Sequence, residues 1–186
     1  MVIGLSSALE YLEQEETAEF KSEYFNGVII PMAGGSVNHN QIAGNLYGEL
    51  NFAFKRQDYR VFIGDVRLWI PILNTFTYPD VMVIAGEPEY YQNRTDTVTN
   101  PLLIIEVLSD STQGYDRQEK FQVYRTIPSF QEYILVSQTQ VYLEQYSKVG
   151  KKQWSLREYD AEDEVIKFNC VDLEVSFEDI FNKVDF

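Results

Sequence analysis

Apolar residues recur at intervals of three and four positions in three stretches of the chain, and this spacing predicts three helices. The predicted ranges are 6–16, about 39–57 and 113–127, with a further helical turn over 177–182. Ser6 or Ser7 would cap the first helix and Asn38 the second, because short polar side chains accept hydrogen bonds from free backbone N–H groups there. Pro128 sets the end of the third helix.

Alternating or continuous apolar residues predict the strands. These cover 60–70, 76–85, 101–108, 131–136, 140–147 and 153–159, and the last two form a hairpin around Val149-Gly150. Residues 23–31 predict a strand or a hairpin that turns at Asn26-Gly27, a pair suited to positive φ. The runs 76–85 and 101–108 are apolar nearly throughout, which is typical of strands covered on both faces.

The middle of the chain therefore has the order helix, three strands, helix, strand. Strands with helices before and after them indicate a sheet with at least one helix-covered face. We expect an α/β (α+β) fold with a mixed sheet, flanking helices and a C-terminal β-hairpin extension. Neither a repeat nor a linker rich in proline, glycine or serine interrupts the sequence, so we expect one domain over 1–186 with a core over about 38–136.

Composition narrows the function classes. Apolar residues make up 45% of the 186 residues, enough for a packed core, and no apolar run is long enough to cross a membrane. A single cysteine and a single histidine exclude a disulfide framework, a zinc cluster and a Cys/His nucleophile. The N-terminal segment turns acidic before a signal-peptide core could form, so we expect a cytoplasmic protein.

The formal net charge of −14 argues against a nucleic-acid partner, because affinity for phosphate normally comes from basic surface. Part of the acid is localised near residues 10–19 and 160–164. A site built of carboxylates also tolerates phosphate once a divalent cation is bound. The charge therefore weakens the case for DNA binding without deciding it, and solubility alone would explain it equally well.

Two acids lie inside apolar strands: Asp80 begins DVMVIA and Glu106 nearly ends LLIIEVL. A charged residue in such a run is costly unless it is paired or bound to metal. Both acids are thirteen positions from Asn93, so antiparallel pairing of the two strands would make them cross-strand neighbours. A shared Mg²⁺ would relieve their repulsion. The alternative is that each ends its strand in water or pairs with an arginine such as Arg67.

Lys120 is the third anomaly, because a helical wheel places it near the centre of the apolar stripe of the 113–127 helix. A lysine that faces a sheet requires an anion, and Glu106, one short turn earlier in the chain, is a natural partner. Asp116 lies on the same side of the helix at i−4, so a simple Asp116–Lys120 pair is the alternative.

Glu23 and His39 carry weaker signals. Glu23 precedes an apolar strand and His39 falls on the apolar side of the first turn of its helix, so each is equally explained as a structural residue. Arg67 shares the polar face of the 60–70 strand with Asp65, which is typical of a solvated face. His39, Arg67 and Asp116 are kept as candidates for contacts to substrate or to the metal ligands.

At this point a resemblance can be stated. The series EYFNG, an Asn-His-Asn helix start, YPDVMVI, IIEVLSDST and YDRQEKFQVYRTIPSFQEYILV resembles the Uma family of restriction endonucleases, part of the PD-(D/E)XK nuclease superfamily. The match extends from about residue 6 to residue 183, and the superfamily core has the same helix–three strands–helix–strand order. A restriction-endonuclease-like core is therefore expected.

The resemblance implies site residues and an activity. Asp80 and Glu106 would be the metal-binding acids, Glu23 a third, and Mg²⁺ or Mn²⁺ the cofactor. Leu108 stands where the superfamily has its lysine, and the resemblance moves that role to Lys120. The implied function is metal-dependent hydrolysis of DNA. The alternatives are an inactive nuclease-fold binding or regulatory module and a metal-dependent phosphoesterase acting on RNA or nucleotides. The oligomeric state, a homodimer included, is left open.

Overall fold

The computed structural model describes residues 6–32, 34–109 and 113–186. Its helices are Ala8–Glu15 (α1), Val37–Ala53 (α2), Gln113–Tyr115 (α3), Phe121–Tyr124 (α4) and Phe177–Ile180 (α5). Its strands are Ser22–Phe25 (β1), Val28–Pro31 (β2), Tyr59–Ile63 (β3), Arg67–Ile70 (β4), Thr75–Thr77 (β5), Val81–Ala85 (β6), Thr97–Val98 (β7), Leu103–Leu108 (β8), Glu132–Ser137 (β9), Leu143–Gly150 (β10), Gln153–Tyr159 (β11), Val165–Lys167 (β12) and Glu174–Ser176 (β13).

A six-stranded sheet, here called the main sheet, has the order β11-β10-β9-β8-β6-β3. Only β8 and β9 pair in parallel; the other neighbours are antiparallel. α2 covers one face of this sheet and buries Ile42, Leu46 and Leu50 against it, as their helical spacing predicts. The segment 113–124 covers the opposite face with Val123 and Tyr124. Within the main sheet the elements follow the predicted order of helix, three strands, helix and strand, namely α2, β3, β6, β8, the segment 113–124 and β9.

A second sheet of five strands, here called the small sheet, has the order β2-β1-β5-β4-β7 and packs against α1. Its β1–β2 hairpin turns at Asn26-Gly27 with φ of 41° and 100°, as the sequence predicts. The prediction of one strand over 60–70 and one over 76–85 is wrong. Each run is divided between the two sheets: β3 and β6 belong to the main sheet, β4 and β5 to the small sheet.

The break in the first of these runs lies at Gly64, whose φ of 61° is a conformation that side chains disfavour. Its N–H donates to the carbonyl of Asp80 at 3.1 Å, so the β3–β4 connection is hydrogen-bonded to the β5–β6 connection. At both connections the chain passes from one sheet to the other, and together they bring the small sheet against the end of the main sheet where Asp80 lies.

The N-terminal cap of α2 differs from the predicted one, whereas that of α1 agrees with it. Ser36, not Asn38, caps α2, since the Ser36 hydroxyl accepts from the His39 N–H at 3.0 Å. Asn38 instead donates to the carbonyl of Asp185 at 2.7 Å. Ser7 caps α1 in a reciprocal arrangement with Glu10. Among the helices that the structure describes, none combines the length and the apolar character required to cross a bilayer.

Candidate active site

The predicted acidic pair lies where the two sheets meet. β5 ends in the small sheet, and Asp80 stands immediately before the first residue of β6 in the main sheet. In the antiparallel pairing of β6 with β8, Val81 is opposite Ile105. The next position of this register places Asp80 opposite Glu106, which is the cross-strand arrangement that the symmetry about Asn93 predicts.

Asp80 is held by one backbone and one side-chain contact. Its Oδ2 accepts a hydrogen bond from the Val107 N–H at 2.7 Å and lies 3.2 Å from His39 Nε2. The side chain is 19% exposed, so it is the most accessible of the acids at this site. His39 stands in the first turn of α2, and the Ser36 cap fixes the start of that turn. The helix thus positions an imidazole directly on a candidate metal ligand.

Glu106 is buried in the middle of the sheet. Its Oε1 accepts hydrogen bonds from Lys120 Nζ at 3.1 Å and from the Tyr124 hydroxyl at 2.8 Å. Lys120 and Tyr124 are four residues apart, so both project from one side of the 113–124 helix. The Tyr124 hydroxyl also lies 3.2 Å from Thr77 Oγ1 in the small sheet. Two side chains of one helix therefore orient the same carboxylate oxygen.

Lys120 contacts two further acids. Its Nζ lies 3.1 Å from Asp116 Oδ1 and 3.3 Å from Glu23 Oε1, and its side chain is 8% exposed. We call these four residues, Glu23, Glu106, Asp116 and Lys120, the Lys120 cluster. Both sequence interpretations of Lys120 hold at once, because it pairs with Asp116 at i−4 and with Glu106 across to the sheet.

The local helix geometry explains this concentration of charge. Residues Asp116–Lys120 form a π-helical turn between α3 and α4. Such turns are rare, cost some helix stability, and recur at functional sites, where they redirect side chains. Here Asp116 and Lys120 are both buried. Asp116 Oδ1 has the Lys120 ammonium at ion-pair distance but no well-aligned hydrogen-bond donor among the described residues.

Burial and neighbouring charge change the proton affinities of these groups. Burial raises the pKa of Glu106 well above its usual value; Lys120 opposes this effect and Asp80 adds to it. Burial by itself would lower the pKa of Lys120, but Glu106 and Glu23 outweigh it and the pKa is raised well above its usual value. For His39, burial is likewise outweighed by the hydrogen bond and charge of Asp80, so its pKa is raised.

The donor set fits a hard divalent cation. Asp80 and the Lys120 cluster bring four carboxylates together against one ammonium, so negative charge is in excess in a region with little solvent. Mg²⁺ typically binds through one or two carboxylates and retains several waters. Within the described residues no three His, Cys, Asp or Glu side chains are grouped so that they could hold a metal by themselves. Two of these carboxylates, completed by water or phosphate, would match the preference of Mg²⁺.

Glu23 and Arg67 differ in their relation to this site. Glu23, on β1, contacts Lys120 and accepts at 3.4 Å from the Tyr78 N–H, so its role as a metal ligand stays a prediction. Arg67 was expected on a solvated face, and that expectation is wrong. It is 5% exposed, donates to the Tyr78 hydroxyl at 2.8 Å, and lies over the rings of Tyr11, from α1, and Tyr78, at the junction of the two sheets.

Tyr124 lies in the apolar stripe of the 113–127 helix, and its contact with Glu106 is not among the sequence-based predictions. Its position four residues after Lys120 is a signal that could have identified it, since i and i+4 side chains share a helix face. A second omission is Glu132 at the start of β9, which is completely buried. It follows Gln131 in the sequence and therefore resembles the polar end of a strand.

Comparisons with known proteins support the nuclease-like architecture. Two uncharacterised proteins of Synechocystis sp. are similar in sequence: sll1609 is 48% identical over 163 residues, covering 88% of this chain and 92% of the relative. The other, slr1290, is 37% identical over 154 residues, covering 83% and 80% respectively. Both alignments include most of each chain.

A solved structure shares the fold. It is a crystal structure from Anabaena variabilis described as a "putative nuclease belonging to DUF820", with a TM-score of 0.77 and 21% sequence identity. The likeness covers 95% of this chain and 97% of that one. The family model named Uma2, described as "putative restriction endonuclease", matches residues 8–178. Because this match includes Asp80, Glu106 and Lys120 and spans nearly the whole sequence, the chain belongs to the Uma2 family.

Proposed function

We propose that this chain is a metal-dependent endonuclease that hydrolyses DNA phosphodiester bonds. The observation that carries the proposal is the excess of buried carboxylates around the single Lys120 ammonium, beside the more accessible Asp80. Buried negative charge of this kind is costly unless a cation compensates it. Membership of the Uma2 family and the fold shared with the Anabaena protein support the same assignment.

Asp80 and Glu106 would hold Mg²⁺ or Mn²⁺. Both are carboxylates from adjacent strands, and Glu106 Oε1 is already occupied by Lys120 and Tyr124. The second oxygen of Glu106 would therefore be the one available to a cation. When bound, the metal would lower the pKa of a coordinated water and offset charge on the phosphate oxygens. Glu23 would join this set only if it left Lys120.

The remaining residues would position these groups. Lys120 carries a localised positive charge that would stabilise charge developing on the phosphate oxygens in the transition state. Asp116 and Glu23, which also contact the ammonium, would hold it in place. His39 would orient Asp80, since its Nε2 contacts Asp80 Oδ2. We expect this activity in the cytoplasm, and we assign no oligomeric state.

The test is nicking of supercoiled plasmid DNA with Mg²⁺ or Mn²⁺, stopped by EDTA. Asp80→Asn should lower the rate about a hundredfold or more, because it removes a ligand of the cation that would activate water and offset the phosphate charge. Asp172→Asn is the matched control, since Asp172 is an exposed aspartate outside the site. Equal activity of the two variants would exclude Asp80 from the chemistry.

One observation favours a second function, an inactive binding or regulatory module. The net charge of −14 disfavours contact with nucleic acid, and Lys120 is already saturated by three carboxylates. Absence of both cleavage and Mn²⁺ binding at millimolar concentration would establish this alternative. Parallel assays with RNA and with nucleotides test for a phosphoesterase of different substrate class. The preferred substrate would be the one that the wild type hydrolyses fastest and whose hydrolysis is lost in Asp80→Asn.

A further inference from the structure

The β10–β11 hairpin is a basic segment in an acidic protein. The chain has 29 Asp and Glu against 15 Lys and Arg, yet residues 145–157 contain Lys148, Lys151, Lys152 and Arg157 and no acidic residue. The turn of the hairpin at Lys151 and Lys152 is exposed. This concentration of one sign of charge is not explained by the candidate active site, which uses none of these residues.

These lysines are also not neutralised by the protein. Among the described residues, no carboxylate lies within ion-pair distance of Lys148, Lys151 or Lys152. Arg157 has only a distant pair, 3.9 Å from Asp163. Basic residues elsewhere in the described chain are usually paired, Arg60 with Glu87 and Lys167 with Glu174 being examples. The hairpin therefore presents positive charge that is open to an external anion.

Strand register places this charge on the face of the main sheet that bears the active site. Glu106 lies beside Leu135 of β9, and Leu135 lies beside Glu144 of β10. Residues two and four positions further along β10 point to the same face, so Lys148 lies on it and Trp154 is its partner on β11. The hairpin and the acidic site are thus at two ends of one face.

The 113–124 helix connects the two ends. Lys120 on this segment contacts the acidic site, and the next residue, Phe121, packs edge-on against Trp154 of the hairpin with ring centroids 5.2 Å apart. Arg125 lies 6.0 Å from the Phe121 ring centroid. Adjacent residues of one helical segment therefore contact the acidic site and the hairpin.

We propose that the β10–β11 hairpin, with Lys148, Lys151 and Lys152, contacts the phosphate backbone of duplex DNA on the flank of the acidic site. The inference rests on the proposed function for its choice of partner. Contacts of this kind supply affinity and register but no sequence selectivity. They would also explain how a chain of net charge −14 retains affinity for a polyanion.

The experiment measures binding without cleavage. A labelled duplex of about twenty base pairs is titrated with protein in EDTA over a range of salt concentrations, by fluorescence anisotropy. The variant K151Q/K152Q should weaken binding about tenfold and lower the salt slope by about two, since two phosphate contacts are lost. The matched control is K55Q/R56Q, which removes the same charge from two exposed, adjacent cationic residues after α2; its affinity should stay within about twofold.

A local measurement supports the assignment independently. The chain has two tryptophans, Trp69 and Trp154, so W69F leaves Trp154 as the single emitter. The emission of the W69F protein should change on addition of DNA. The emission of W69F combined with K151Q/K152Q should not change at the same concentrations of protein and DNA.

Equal weakening by the two double variants would overturn the proposal, because only net charge would then matter. So would a wild type that binds no duplex, or a K151Q/K152Q variant that changes the oligomeric state and leaves affinity intact, since the hairpin would then contact a second acidic copy. If the wild type cleaves DNA and K151Q/K152Q binds as tightly as the wild type, the proposed nuclease function holds and the role of the hairpin is excluded. If binding depends on the hairpin and no cleavage occurs, the role of the hairpin holds and the nuclease function is excluded.

Discussion

Two groups of buried acids in this molecule differ in how their negative charge is compensated. In the Lys120 cluster, three carboxylates share one ammonium and Asp80 stands beside them. Glu132, at the start of β9, is completely buried and has no cationic partner among the described residues. Its carboxylate accepts from the backbone N–H groups of Asn169 and Cys170 at 3.0 Å and from two side chains.

Those side chains complete what we call the Glu132 network, made of Glu132, Gln145, Ser147, Asn169 and Cys170. Gln145 Nε2 donates to Glu132 Oε1 at 2.5 Å, and the Ser147 hydroxyl donates to the same oxygen at 3.3 Å. The network joins β9 and β10 to the segment after β12, so its hydrogen bonds fasten the C-terminal part to the main sheet. Its carboxylate is fully satisfied by the protein.

The difference separates a structural acid from candidate functional ones. Glu132 has donors for both oxygens and leaves nothing for a ligand. The Lys120 cluster retains excess negative charge, and Asp116 Oδ1 has no well-aligned hydrogen-bond donor among the described residues. Such unfavourable features persist in folded proteins mainly where function requires them. Burial alone therefore does not identify the site; incomplete compensation does.

The largest expected effect tests the Glu132 network. Glu132→Ala removes an acceptor from several buried donors at once, so it should lower the free energy of unfolding by about 4 kcal/mol, measured by urea denaturation. Glu132→Gln, which retains one acceptor oxygen, should cost less. Mn²⁺ binding per folded molecule should be unchanged in both. A loss of Mn²⁺ affinity with retained stability would reverse the proposed contrast.

A smaller loss of stability is expected in the Lys120 cluster. Lys120→Met leaves three carboxylates without a cation and should cost about 3 kcal/mol, by the same denaturation measurement. Adding Asp116→Asn should recover about 1 kcal/mol or more, because the remaining repulsion falls. Additive effects of the two changes would mean that Asp116 and Lys120 do not interact energetically.

Asp80 should behave in the opposite way to both. In EDTA, Asp80→Asn should leave the free energy of unfolding unchanged or raise it by up to about 1 kcal/mol, since it relieves repulsion with Glu106. Its Mn²⁺ affinity, measured by titration calorimetry, should fall at least about tenfold. A large loss of stability in the metal-free protein would place Asp80 with Glu132 as a structural acid.

The sequence predicted the central part of this arrangement because the physics there is local. β6 and β8 are continuous apolar runs, and the equal separation of Asp80 and Glu106 from Asn93 fixed their register once the strands were taken as antiparallel. Lys120 was recognisable as a charge inside an apolar helix stripe. Each of these signals depends on one or two adjacent elements.

Features that depend on distant segments were not predictable in this way. Apolar alternation continues through Gly64, so periodicity did not reveal that the run 60–70 changes sheets. The burial of Arg67 depends on rings contributed by Tyr11 and Tyr78, from α1 and the sheet junction. Glu132 is satisfied by residues up to 38 positions away. β12 and β13, with three residues each, are too short to show any period.

The smallest expected effect concerns His39 and pH. Since Asp80 raises the pKa of His39 above its unfolded value, the imidazolium stabilises the folded state. That contribution is fully present below the unfolded pKa of about 6.5 and is lost as pH rises through the folded pKa. In EDTA, the wild type should therefore exceed His39→Gln in stability at about pH 6, by less than about 1.5 kcal/mol, and this advantage should shrink towards about pH 9. In the background of Asp80→Asn the pH dependence of the difference should disappear or reverse, because burial, which lowers the pKa of His39, is no longer outweighed by Asp80. An advantage that instead grows as pH rises would mean that neutral His39 is the form held by Asp80, and the imidazole would then act on Asp80 only as a neutral hydrogen-bond donor.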